Sequence, residues 1–220
     1  MSAVADPMPS RGKDAISQRF SGTTLADLRK GIDNCRACPL WERATQGVPG
    51  EGEPHARVML VGEHPGDQED RVGRPFVGPA GKLLHSALEK AGVDRGAVFI
   101  TNAVKHFSWF PRGKRRMHKT PAQSEVAACL DWLEVEVSLV RPHVIVCLGA
   151  TAAKALLGRD FRVTVDRGRL LESTMAAFII ATVHPSSILR MSKDEERDAA
   201  FERFVQDLKV IRQALNRERA

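Results

Sequence analysis

The sequence predicts an α/β fold: a three-layer sandwich built on a central, largely parallel four-stranded sheet. Three observations carry this expectation. Four short runs that are apolar on both faces, at 57–63, 98–102, 144–149 and 178–183, read as strands covered on both sides. Stretches with helical apolar spacing lie between them. Residues able to do chemistry follow directly after strand ends, the edge at which open parallel sheets bind ligands.

Taken in order, residues 1–22 mix Pro7, Pro9, Gly12, serines and charges, and are expected to form a disordered tail. A single domain is expected over 23–217, a length that buries one sizeable core. Thr23 or Thr24 caps a short helix with Leu25, Leu28 and Ile32 on one face. The first strand, Arg57 to Glu63, ends in His64-Pro65-Gly66-Asp67. Lys82 to Ala91 is a helix with Leu83, Leu84, Ala87 and Leu88 inward, and Val98 to Asn102 is the second strand. Thr120-Pro121 opens a longer helix whose apolar face is Val126, Cys129, Leu130, Leu133, Val137 and Val140. The third strand precedes a small-residue helix, 150–157. Arg169 to Glu172 forms a short strand, and the fourth long strand leads into His184-Pro185-Ser186-Ser187. A final amphipathic helix spans 193–216 with Phe201, Phe204, Val205, Leu208 and Ile211 as its stripe.

The net charge of +6 favours an acidic partner. No apolar run approaches the ~20 residues of a membrane span, and the N-terminus lacks a continuous apolar core of a secretory signal. The charge concentrates between Lys105 and Thr120, which holds Lys105, Arg112, Lys114, Arg115, Arg116 and Lys119 and no acid. Phe107, Trp109 and Phe110 are interleaved with it, and Pro111 and Gly113 are expected to break regular structure there. Positive charge beside flat rings suits a single-stranded polyanion whose bases stack. Four cysteines are too few for a disulfide scaffold. Cys35-x-x-Cys38, Cys129 and Cys147 suit metal or cluster ligation in a reducing compartment, and their spacing leaves zinc and iron–sulfur both open. Cys147, inside an apolar run, also reads as a plain core residue.

Five segments together resemble the uracil-DNA glycosylase superfamily: Gly62-Glu63-His64-Pro65-Gly66-Asp67, Pro75 to Gly81, Thr101 to Lys105, Lys114-Arg115-Arg116-Met117-His118, and His184 to Ser187. The cysteine pattern resembles the iron–sulfur family 4 branch, and the insert ending in His118 resembles the UdgX type, which becomes covalently attached to DNA. The resemblance implies a [4Fe–4S] cluster on Cys35, Cys38, Cys129 and Cys147, with a structural role. It implies a cytoplasmic, monomeric enzyme acting on uracil in DNA, preferably single-stranded, with no membrane partner.

The residue roles follow the chemistry. A flipped base needs a stacking face, from Phe76, and a donor–acceptor reader, from Asn102, whose amide matches uracil and mismatches cytosine. His184 donates to the leaving base as negative charge develops. His118 is the candidate nucleophile at the sugar C1′, with Glu63 accepting its other N–H. Asp67 positions a water or the sugar, and His64 lies near the base, where the UdgX pattern has glutamine. Lys105, Lys114, Arg115, Arg116, Lys119, Ser186 and Ser187 are the expected DNA contacts. Asn102 as a strand-end cap, Phe76 as a core ring and His118 as a phosphate contact remain the plainer readings. Two other functions stay open: a turnover family 4 glycosylase, and a non-catalytic uracil-DNA or single-strand binding protein.

Overall fold

The fold is taken from a computed structural model, which describes residue 20 and residues 22–217. The expected tail thus lies outside the described residues, apart from positions 20 and 22. The chain runs α1 (Leu25–Asp33), β1 (Glu51–Gly52), β2 (Val58–Gly62), α2 (Asp67–Val72), α3 (Pro79–Ala91), β3 (Val98–Asn102), β4 (Trp109–Arg112) and β5 (Arg115–His118). It continues with α4 (Gln123–Val140), β6 (Val144–Leu148), α5 (Ala150–Leu157), α6 (Val163–Asp166), β7 (Leu170–Glu172), β8 (Phe178–Thr182), α7 (Pro185–Leu189) and α8 (Asp194–Arg217). Thr24 caps α1, its hydroxyl accepting the Asp27 N–H at 3.1 Å. The helix expected from Thr120-Pro121 begins later, at Gln123. The Glu125 carboxylate accepts the Ala122 N–H at 2.7 Å and so sets that start.

The four long strands pair in parallel in the order β3-β2-β6-β8. Two short antiparallel strands extend them, β1 on β3 and β7 on β8. Leu60 lies opposite Ile100 and Val146, and Val146 opposite Ile180, so one apolar row crosses the sheet. Alternate residues feed two cores. Met59, Val61, Ile145 and Ala181 pack under α1, α4 and α5, while Leu60, Ile100, Val146 and Ile180 pack under α3 and α8. The sheet is therefore covered on both faces, which is why its strands read as continuous apolar runs. The chain leaves β2 for β3 on one side and reaches β6 on the other. This places a crevice beyond the carboxyl ends of β2 and β6.

The basic segment is not irregular, as Pro111 and Gly113 had implied. It forms a two-stranded hairpin in which Trp109 faces His118 and Pro111 faces Arg116. Both strands are edges, so the missing N–H of Pro111 breaks no ladder. Gly113 takes a positive φ of 60° at the first turn position, as a two-residue hairpin loop allows.

Under the hairpin's origin lies a buried ion pair. The Lys105 ammonium donates to Glu136 at 2.7 Å, to the Thr101 hydroxyl at 2.8 Å and to the Asn102 carbonyl at 2.7 Å. Glu136 also accepts from Thr101 Oγ1 at 2.6 Å and from the Gly50 N–H at 2.8 Å. All three ammonium protons are used, and neither charge reaches solvent. Removing one partner strands the other. Glu136→Gln is expected to cost about 3–5 kcal/mol in urea unfolding, and Lys105→Met with Glu136→Leu to recover much of it.

Candidate active site

A cavity of about 420 Å³ opens at the carboxyl edge, lined by His64, Asp67, Phe76, Asn102, His118, His184 and Arg190 among others. That volume falls within the range of small-ligand pockets. Asn102 ends β3 opposite Gly62 and is 2 % exposed. A Cβ on Gly62 would lie 2.3 Å from Asn102 Oδ1 and 2.7 Å from the Phe76 ring, so glycine is what lets these two side chains close over the strand end. Phe76 itself has a φ of 55°, unusual for a bulky residue and costing on the order of 1–3 kcal/mol. Its carbonyl approaches so near to α3 that a Cβ on Gly81 would sit 1.7 Å away.

His184 precedes α7 and caps it. Its Nδ1 accepts the Ser186 N–H at 3.1 Å and lies 2.8 Å from Ser186 Oγ. With Nδ1 accepting, the proton of the neutral ring sits on Nε2. Burial, and then the charges of His118 and Arg190, lower the His184 pKa to about 4, so this donor is neutral at pH 7.

The hairpin brings His118 to the pocket, where its ring stacks on His64 with centroids 3.8 Å apart. Ligand atoms of Glu63, His64 and His118 all lie within 4.8 Å of one another. Burial, then Arg190, lowers the His118 pKa below its ordinary value, which favours the neutral ring at pH 7. Burial raises that of Glu63 against the pull of Thr151 and Arg190. No hydrogen bond joins Glu63 to His118 among the described residues, and Glu63 Oε1 and His64 Nε2 are both buried without a partner.

The profile of the uracil DNA glycosylase superfamily matches residues 49–209. The chain belongs to that superfamily. It is 42 % identical over 173 residues to the type-4 uracil-DNA glycosylase of Pyrobaculum aerophilum, covering 76 % of this chain and 85 % of that protein. It is 38 % identical over 172 residues to the type-4 uracil-DNA glycosylase of Thermotoga maritima, covering 78 % and 86 %. A type-5 uracil-DNA glycosylase from Thermus thermophilus is 36 % identical over 137 residues, covering 56 % and 58 %.

Several residues expected to touch DNA are placed elsewhere in this member of the superfamily. Lys105 is wholly buried in the ion pair with Glu136 and cannot reach a phosphate. Its neighbours in sequence gave no sign of an acid supplied from α4. Arg116 bonds Asp67 and Asp70 and lies over the rings of Phe107 and Trp109, at 5.3 and 5.5 Å. It pins the hairpin to α2. Asp67, expected to hold water or sugar, is thereby committed to Arg116 and to Arg71 at 2.9 Å. Burial opposes that pairing, but the two arginines still draw the Asp67 pKa below the carboxylate range. Ser186 and Ser187 turn their hydroxyls to His184, the latter bonding its carbonyl at 2.7 Å. Lys114, Arg115 and Lys119 are exposed on the hairpin, as a DNA contact requires.

Three cysteines come together. The Cys129 thiol feels Cys38 and Cys35 as well as Lys105, whose N–H donates to its sulfur at 3.2 Å. Trp132 Nε1–H donates to Cys35 Sγ at 3.2 Å. Sulfurs receiving N–H bonds fit a cluster or zinc site. Cys147 stands apart. It lies within β6, opposite Val61 and Ala181, and burial alone raises its pKa, with no other thiol acting on it. A strand buried on both faces hides a core cysteine as readily as a ligand. His106 is a buried donor that the sequence reading passed over. It follows Lys105, and burial and then the charge of Arg36, inside the Cys-x-x-Cys segment, lower its pKa. Arg190 was also missed, though it acts on Glu63, His118 and His184 and bonds Ser186 Oγ at 3.0 Å. Its signal was a lone arginine six residues past His184 on the same segment.

Two neutral histidines, buried His64 and half-buried His184, impose a pH dependence on stability. Burial, then His118, lowers the His64 pKa to about 3, against the pull of the Pro65 and Lys119 carbonyls. Below ~6.5 the unfolded chain takes up protons that folded His64 and His184 refuse, so stability falls as pH drops from ~6.5 toward the folded values. Thermal unfolding from pH 7.5 to 4.5 is expected to show this loss, with a shallower slope in His64→Gln.

Proposed function

We propose that this protein is a uracil-DNA glycosylase of UdgX type, which excises uracil from single-stranded DNA and retains the abasic sugar on His118. The observation that carries the reading is the position of His118, delivered by the pinned hairpin to the mouth of the pocket with its ring neutral. Uracil would stack on Phe76 and be read by the Asn102 amide. As the C1′–N1 bond breaks, its electron pair leaves with uracil, and His184 Nε2–H donates to the O2 that gains charge. A lone pair of His118 forms the new N–C1′ bond, and the proton on its other nitrogen passes to Glu63. Water is not consumed, so one chain would act once.

Single-stranded DNA is favoured because the hairpin exposes Phe110 beside Arg112, Lys114 and Arg115, rings and charges suited to unstacked bases. A [4Fe–4S] cluster on Cys35, Cys38 and Cys129, with His106 as the further donor beside them, would tie the N-terminal segment to α4 and take no part in bond cleavage. None of the four cysteines is in a disulfide, which favours a reducing compartment such as the cytoplasm. The turnover reading, in which His118 only grips DNA, is favoured by the likeness to the two type-4 enzymes.

The two separate on a denaturing gel with a labelled uracil-containing single strand. A heat- and SDS-stable shifted band that His118→Ser loses is the expected result. Abasic product without a shifted band would instead establish turnover. Binding to the same strand should weaken with salt at a log–log slope near −2, for about three phosphates, and Lys114→Ala with Arg115→Ala should cut the slope by about 1.4.

A further inference from the structure

His64 gives this pocket an imidazole stacked on that of His118, and the arrangement has a gap. His64 Nδ1 lies 2.8 Å from the Pro65 carbonyl, which only accepts, so Nδ1 carries the proton. The Ser108 N–H approaches the same nitrogen only at 3.4 Å. Nε2 therefore holds a bare lone pair. It faces Glu63 Oε1 at 3.8 Å, and neither buried atom has a partner. Two buried acceptors facing each other repel unless something positive lies between them.

We propose that Glu63, His64 and His118 form a site for a divalent transition-metal ion of the zinc class, which closes the pocket reversibly. Two imidazole nitrogens and a carboxylate are a donor set that zinc takes, at ~2.0–2.2 Å from each, leaving a fourth position open. An ion between Glu63 Oε1 and His64 Nε2 spans their 3.8 Å separation with bonds of about that length. The Nδ1–H bond to a backbone carbonyl is the outer contact that metal-bound histidines commonly make. His118 supplies the third donor. The three ligand atoms already lie within 4.8 Å, and the exposed hairpin position lets the ring turn from its stack toward the ion. Once bound, the ion takes the His118 lone pair and the Glu63 carboxylate.

The consequence for adduct formation rests on the function proposed above; the binding itself does not. The test uses cluster-loaded protein, titrated with Zn2+ by calorimetry while the visible absorbance confirms that the cluster stays intact. Wild type is expected to bind one ion in a step that His64→Gln and Glu63→Gln each weaken at least tenfold. Both substitutions keep side-chain size, and thermal unfolding confirms that the variants fold. Equal uptake by wild type and His64→Gln would overturn the proposal, because the ion would then be elsewhere. With Zn2+ bound, the shifted DNA band should be lost and EDTA should restore it. A band unaffected by bound Zn2+ would overturn the closing role.

Discussion

The site depends on one clamp. Arg116 leaves the hairpin, passes over Phe107 and Trp109, and ends on Asp67 and the fully buried Asp70 of α2. Asp70 is fixed in turn, accepting the Thr45 N–H at 2.9 Å and its hydroxyl at 2.6 Å. An isolated two-stranded hairpin is marginal in water, so the position of His118 is set less by β4 and β5 than by this charge, held over Phe107 and Trp109 and against the two acids of α2. The segment with the highest positive charge in the chain thus spends its central arginine on its own architecture. Only the flanking cations remain for a polyanion.

A second constraint lies one layer deeper. Lys105 fastens the carbonyl of Asn102 through its ammonium and the sulfur of Cys129 through its N–H. The end of β3, where a base would be read, therefore shares one residue with the place where three cysteines gather. The expense of burying an ion pair is offset by complete hydrogen bonding. What results is a strand end with little freedom to move, as recognition by a single amide requires.

Much of this was legible in the sequence. Strands buried on both faces announce themselves as apolar runs, and the residues after their ends converge because parallel strands share one carboxyl edge. Of the two edge strands, the short run at 169–172 was legible and appears as β7. β1 was not, because two residues are too few for any period. The hairpin was hidden by Pro111 and Gly113, which break a central strand but not a ribbon with two free edges. Lys105 and Arg116 were misplaced for a common reason. A basic residue in a basic run reads as solvated, and what buries it is an acid brought from 31 or 46 positions away. Cys147 sits inside a strand buried on both faces, where a cysteine reads equally as a ligand and as a small apolar side chain.

His64 brings these threads together. An amide at that position would offer both a donor and an acceptor and would satisfy Glu63 directly. An imidazole whose Nδ1–H is taken by Pro65 offers Glu63 only a lone pair, so a shielded carboxylate oxygen is left facing an acceptor. Burial accordingly raises the pKa of Glu63 and lowers that of His64. The same ring stacks on His118 and so holds the hairpin's functional end near the pocket. His64 thus makes no hydrogen bond to Glu63 and gains a stacking contact with His118. The charge balance beside His118 is left to whatever next enters the gap, whether a proton or a metal ion.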